Sequence, residues 1–361
     1  MNPALRLLTR GLIGIGVLAL VLVAGALLYG SISEWRLATS TRIDAPNGIE
    51  SLESVEIGGV EQTIYLRGHD RNNPVMLFVH GGPGVPETGV ARTFGLRLEE
   101  HFVVVHWDQR GAGNSCSPDV PDESLRLEQY LTDTAELVNL LRSRFGVEKI
   151  YLVGHSWGSI LGVLIAERHP ELFHAYVGMG QVVDMKRGED ISYRFVLDRA
   201  QAEGNEKALE ELASIHPPYA NTQELLAQRA WLSHYHGDVY GGGGTSELVR
   251  GILFSPEYSI SKKLSFYGCA INSVDQAWSD VQQIDFIRDV PQLEVPVYFF
   301  AGRHDYNTPF ELVEEFSLTL EAPHNEIVWF ENSAHSPNLE EPDRYQEILI
   351  QKVLPETLPA Q

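Results

Sequence analysis

Gly154-His155-Ser156-Trp157-Gly158 fits the spacing G-x-S-x-G. That spacing presents a serine hydroxyl on a turn too sharp to admit side chains at its flanks. A hydroxyl is a poor nucleophile until a base takes its proton, so an imidazole must reach it and a carboxylate must orient that imidazole. A glycine-rich turn with an incidental serine is the bland alternative. It is disfavoured by context, because Ile150 to Val153 reads as a strand and Trp157 to Arg168 as a helix, the setting in which this turn has a mechanical role. Ser156 is the expected nucleophile.

Partners for Ser156 follow from geometry. The strands of a parallel sheet all open at one edge, so catalytic groups come from loops that follow strands. Of thirteen histidines, His324 and His335 are among those that come after the late strand at Val295. His324 precedes the run Glu326 to Phe330 and belongs at the far edge, whereas His335 follows it. His335 is the expected base. The same test selects Asp305, just beyond Val297 to Ala301, over Asp280, Asp285 and Asp289, which lie before that strand. Asp184, after an earlier strand, is the permitted substitute.

Acyl transfer also needs N–H groups aimed at the developing oxyanion. Trp157 supplies one from the helix start, and the loop His80-Gly81-Gly82-Pro83-Gly84 supplies the other, with the Gly82 amide as the expected donor. By itself that loop could be a plain turn. Beside the serine turn it acquires a purpose.

These residues require a scaffold of alternating strands and helices. From about Ser51 the chain offers one, which predicts a mainly parallel sheet covered on both faces. Leu52 to Ile57 and Val60 to Leu66, split by Gly58-Gly59, read as an antiparallel edge hairpin. Val75 to Val79, Phe102 to Val105 and Ile150 to Val153 read as central strands, and Ala175 to Val177 as the next. Leu127 to Phe145 has helical spacing and stops at Gly146. Residues 181–290 break the alternation, being polar, aromatic and helix-like with an interruption at Gly241 to Gly244, and are expected to form an inserted cap. The alternation resumes with the strand Val295 to Phe300, a helix from Pro309 to Leu320, the strand Glu326 to Phe330 and a helix after Pro342. The expected division is a membrane anchor or signal segment at 1–30, core at 31–180, cap at 181–290 and core again at 291–361.

HGGPG at His80, Asp108-Gln-Arg-Gly-Ala-Gly-Asn-Ser115 and Gly154-His-Ser-Trp-Gly-Ser159 together resemble the α/β-hydrolase branch that contains prolyl iminopeptidases. The likeness covers about half the chain. It implies the α/β-hydrolase fold, a Ser-His-Asp peptidase chemistry without cofactor, and a wall-forming role for Asp108 to Ser115. In such peptidases cap acids hold the substrate's free amine. Glu203, Glu206, Glu210, Glu211 and Asp238 are available here, and none is singled out.

Composition bounds the partners. A net charge of −22 repels nucleic-acid phosphates, so no nucleic acid is expected, and a small molecule or short peptide is the expected substrate. Two cysteines, Cys116 and Cys269, make neither a disulfide framework nor a zinc cluster, though one bridge is open to them. His234 and His236 lack a third ligand pattern, so no metal is expected. Gly11 to Tyr29 is almost wholly apolar. Its nineteen residues span roughly 28 Å as a helix, close to a bilayer core. With Arg6 and Arg10 before it, the remainder would lie outside the cytoplasm. An uncleaved anchor through residues 11–29 is favoured over a leader cut at Ala24-Gly25-Ala26, because the apolar run continues past that site. The expected activity is that of an aminopeptidase-like serine hydrolase; an esterase with the same triad is the alternative.

Overall fold

A computed structural model describes residues 3–241 and 244–358. Gly242 and Gly243 of the expected glycine interruption lie outside the described residues.

Eight strands form one sheet: β1 Ile49–Ile57, β2 Val60–Gly68, β3 Val75–Val79, β4 Val103–Asp108, β5 Ile150–His155, β6 Phe173–Met179, β7 Val297–Gly302 and β8 Asn325–Phe330. Their order is β1-β2-β4-β3-β5-β6-β7-β8. The β1–β2 hairpin and the β2–β4 pairing are antiparallel, and all other pairings are parallel. The α/β-hydrolase fold expected from the sequence is therefore the fold observed.

The period-two pattern of the central strands explains the layers. Leu77 and Val79, Val103 and Val105, and Leu152 belong to one core. Their alternates Met76 and Phe78, Val104, Tyr151 and Val153 belong to a second core on the other face. Strands apolar at every position can be buried only with cover on both sides.

The helices used below are α1 Pro3–Ser40, α2 Leu127–Phe145, α3 Trp157–Arg168, α4 Met185–Glu203, α5 Glu206–Leu212, α6 Thr222–His234, α7 Gly244–Phe254, α8 Ile260–Val281, α9 Phe310–Thr319 and α10 Pro342–Ile348. Helix α2 ends where the sequence predicts, with Gly146 left-handed at φ 65°. Helices α4 to α8 fall between β6 and β7, the stretch read as inserted. The α4–α6 group has a small core of its own, from Val196, Ala200, Leu212 and Leu232.

Helix α1 runs unbroken past residue 30 to Ser40. It is long and apolar enough to cross a membrane, and its apolar window is unburied. Its last turns dock on the body: Ser33, Glu34, Leu37 and Ala38 are half-buried at helical spacing. Arg67 and Arg92 hold the end at Thr41, through its carbonyl at 2.6 Å and its hydroxyl at 3.0 Å.

Candidate active site

The turn from β5 into α3 places Ser156 at φ 54° and ψ −119°, a conformation that a side-chain-bearing residue rarely holds without surrounding support. Support comes from the Ser156 N–H, which donates to the Met179 carbonyl at 2.9 Å, and from its own carbonyl, which accepts from the Ser159 amide at 2.8 Å and hydroxyl at 2.6 Å. Gly158 is required by close approach, since a Cβ there would lie 2.0 Å from the Val79 carbonyl oxygen.

Ser156, Gly82 and His335 line one cavity of about 230 Å³, with Gly81, Val85 and Leu248 among its other walls. Asp305 sits beneath it, 2% exposed. His335 Nδ1 lies 3.0 Å from Asp305 Oδ2. The His335 Nε2 atom is buried and has no hydrogen-bond partner among the described residues. Asp305 is held in turn: Oδ1 accepts from the amides of Asn307 and Thr308 at 2.8 and 2.9 Å, and Oδ2 from the Thr308 hydroxyl at 2.8 Å. Asp184, the substitute acid, instead caps α4 by accepting from the Arg187 amide. His324 lies beside Glu326 at 3.3 Å, at the start of β8.

The residues expected to hold an oxyanion flank the serine. Trp157 begins α3, where a main-chain N–H has no partner within the helix; its indole N–H donates to Gln109 at 3.0 Å. Gly82 adopts φ 117°, a region that favours glycine. The preceding His80 anchors this loop: its Nε2 accepts from the Gln109 amide at 3.1 Å, so its Nδ1–H donates to the Gly81 carbonyl at 2.8 Å. Burial drives the His80 pKa down to about 4, which keeps the ring neutral.

The loop after β4 is pinned by Asp108. Asp108 is buried, accepting from Thr88 at 2.6 Å, Tyr258 at 3.1 Å and the Asn114 amide at 2.8 Å. Burial pushes its pKa up to about 6. Cys116 at the end of this loop is disulfide-bonded to Cys269, which ties the loop to α8.

Several cavity residues were not legible in the sequence. Glu87 lines the cavity and is buried, with Oε1 2.5 Å from His155 Nδ1 and Oε2 accepting from Asn338 at 2.7 Å. Among the available cap acids, Glu203, Glu206, Glu210 and Glu211 are exposed, whereas Asp238 lines the cavity. Asp238 Oδ2 accepts from Ser233, while Oδ1 is buried without a partner among the described residues. His234 and His236 are both exposed.

Comparison with known proteins agrees with the architecture. The model of the alpha/beta hydrolase fold family matches residues 74–342. The probable aminopeptidase YbaC of Bacillus subtilis is 31% identical over 315 residues, 85% of this chain and 97% of its own. The crystal structure of the proline iminopeptidase of Mycobacterium smegmatis superposes with a TM-score of 0.60 at 20% identity, covering 85% of this chain and 99% of that one. That of a membrane phospholipase A superposes at 0.61 and 21% identity, covering 98% of this chain and all of the other. With its sheet order, serine turn and glycine loop, the chain belongs to the α/β-hydrolase family and is a hydrolase of its prolyl iminopeptidase-like kind.

Proposed function

We propose that the chain is a serine hydrolase that releases amino-terminal residues from small peptides or amides. The observation that carries the mechanism is the unpartnered, buried Nε2 of His335 in the cavity that Ser156 lines, with Asp305 at the opposite ring nitrogen. His335 Nε2 takes the Ser156 proton as Oγ bonds to the substrate carbonyl carbon. The amides of Gly82 and Trp157 hold the resulting oxyanion. Collapse breaks the carbon–nitrogen bond, and His335 returns its proton to the leaving amine. Water, deprotonated by the same ring, then cleaves the acyl-serine ester. Every step uses side chains and amides of this chain alone.

Two observations support a peptide end as substrate. A relative at 31% identity is named a probable aminopeptidase. Asp238 also carries a buried, unpartnered carboxylate oxygen beside the cavity, suited to a protonated amine. An ester reading is favoured by the walls from Val85, Val239, Leu248 and Leu339, which suit a neutral acyl group. The two are separated by kcat/KM of the full chain in detergent on prolyl naphthylamide and p-nitrophenyl butyrate, with Ser156→Ala as blank. Preference for the amide is the expected result; ester turnover alone selects the second reading, and activity surviving in Ser156→Ala sinks both.

The same reading puts residues 181–290 over the site as a cap and residues 11–29 in a membrane, with the catalytic part outside the cytoplasm. The apolar α1 and the Cys116–Cys269 disulfide, a bond rare in reducing compartments, support the location. Protease added to intact cells should digest the catalytic part.

A further inference from the structure

Among the described residues beyond α1, five of the ten exposed large apolar side chains lie on two helices. Val249 and Leu253 project from α7, and Ile260, Leu264 and Tyr267 from the first turns of α8. Positions 260, 264 and 267 share one helix face, and Leu264 and Tyr267 are 81% and 69% exposed. Exposed apolar surface concentrated on neighbouring helices marks an interaction site.

Its occupant is indicated by what stands beside it. The Tyr29 ring, at the end of the apolar run of α1, meets Phe254 of α7 edge-on at 5.8 Å. Glu34, just beyond, binds the nearly buried Lys263 of α8 at 2.6 Å. Tyr29 and Glu34 are about 7 Å apart along the helix axis, so both helices are held where α1 changes from apolar to polar. The cations of this edge are already engaged. Lys263 is paired with Glu34, Lys262 donates to the carbonyls of Asn114 and Cys116, and Arg250 lies 3.6 Å from Glu247. In a chain of net charge −22, that leaves apolar burial as the attraction, which fits zwitterionic lipid.

A second cavity, about 540 Å³, opens along α7 between Val249, Leu253 and Phe254. Asp238 and Val239 line both it and the cavity of Ser156.

We propose that the α7–α8 edge is a lipid-contact surface, seated in the zwitterionic leaflet from which α1 emerges, and that the catalytic cavity opens onto that leaflet through the α7 vestibule. Substrates then reach Ser156 from the membrane surface, as amphiphiles. The inference rests on α1 being a retained anchor and on the hydrolase site proposed above.

Single cysteines at Leu22, Val249, Leu264 and Leu318 test it in the full chain, whose own cysteines are paired. Each variant is labelled with bimane, reconstituted in phosphatidylcholine vesicles and compared with and without brominated acyl chains. Leu318, 88% exposed on α9 at the other end of the sheet, is the aqueous control. A thermal melt of each labelled variant, matched to that of the native chain, verifies folding. Expected is several-fold greater quenching at 22, 249 and 264 than at 318, since a surface helix sinks its apolar face about 5–10 Å into the leaflet. Quenching at 22 with 249 and 264 as bright as 318 overturns the contact surface and leaves the anchor standing. Quenching at 264 but not 249 overturns the membrane-facing vestibule. A bright label at 22 overturns the anchor, and this inference with it, while hydrolysis by Ser156 is judged separately by its alanine variant.

Discussion

The imidazole of His155 grips the main chain of His335: its Nε2 lies 3.0 Å from the His335 carbonyl oxygen, with the rings 5.1 Å apart. A carbonyl only accepts, so Nε2 carries a proton, and Nδ1 faces the Glu87 carboxylate at 2.5 Å. Burial opposes charge on both partners. It is outweighed at His155 by the Glu87 charge and hydrogen bond, which raise the His155 pKa, and at Glu87 by His155 and Asn338, which lower that of Glu87. The residue before the expected nucleophile thus fixes the backbone of the expected base through a buried ion pair.

Removing one partner of such a pair strands the other. Glu87→Gln is expected to cost about 3–5 kcal/mol in urea unfolding, and Glu87→Gln with His155→Gln less than Glu87→Gln alone. His155→Phe, which frees the His335 carbonyl, should lower kcat on the order of 10²-fold with KM little changed, the result of a base displaced by a fraction of an ångström. An unchanged kcat would leave the pair a purely structural role.

Asp305→Asn tests the acid. Two main-chain amides donate to Oδ1, so the asparagine oxygen must stay there and its NH2 must face His335 Nδ1. That forces the ring proton onto Nε2, the atom that has to accept from Ser156. The expected loss in kcat is on the order of 10⁴-fold with the fold intact, read by steady-state kinetics beside a thermal melt.

Much of this arrangement is legible in the sequence because it is local. The serine turn, the glycine loop and the helix ending at Gly146 depend on residues adjacent in the chain. Strand ends were less so. The run from Val295 pairs only from Val297, since Pro296 has no N–H to give the ladder. Strand β4 continues through His106, Trp107 and Asp108, polar and aromatic residues whose strand character comes from pairing with β2 and β3. Glu87 was hidden most thoroughly. An acid in a loop reads as solvated, and its burial depends on His155 and on Asn338, 251 residues away.

The disulfide should carry measurable stability. It closes a separation of 153 residues between the loop after β4 and α8; loop-closure entropy gives up to about 5 kcal/mol, and measured bridges commonly give about 2–4. Cys116→Ser with Cys269→Ser should therefore lower the urea midpoint, and dithiothreitol should lower that of the native chain while leaving the double variant unaffected. Equal midpoints for the native and double-variant chains would mean that the bridge constrains nothing in the unfolded state.

His80 sets an acid limit on the fold. Its folded pKa of about 4 lies below the ordinary value of 6.5, so between these values the unfolded chain binds a proton that the folded chain refuses. Stability is greater where the unfolded chain is also unprotonated, and it falls as the pH drops through this window. At 1.36 kcal/mol per pKa unit, His80 alone should remove about 2–3 kcal/mol between pH 7 and pH 4.5. His80→Asn, whose side-chain NH2 can replace Nδ1–H on the Gly81 carbonyl, lacks that titration. Urea unfolding at the two pH values should show a smaller acid loss in the variant than in the native chain, and parallel losses would mean that His80 accepts its proton in the folded state as readily as in the unfolded one.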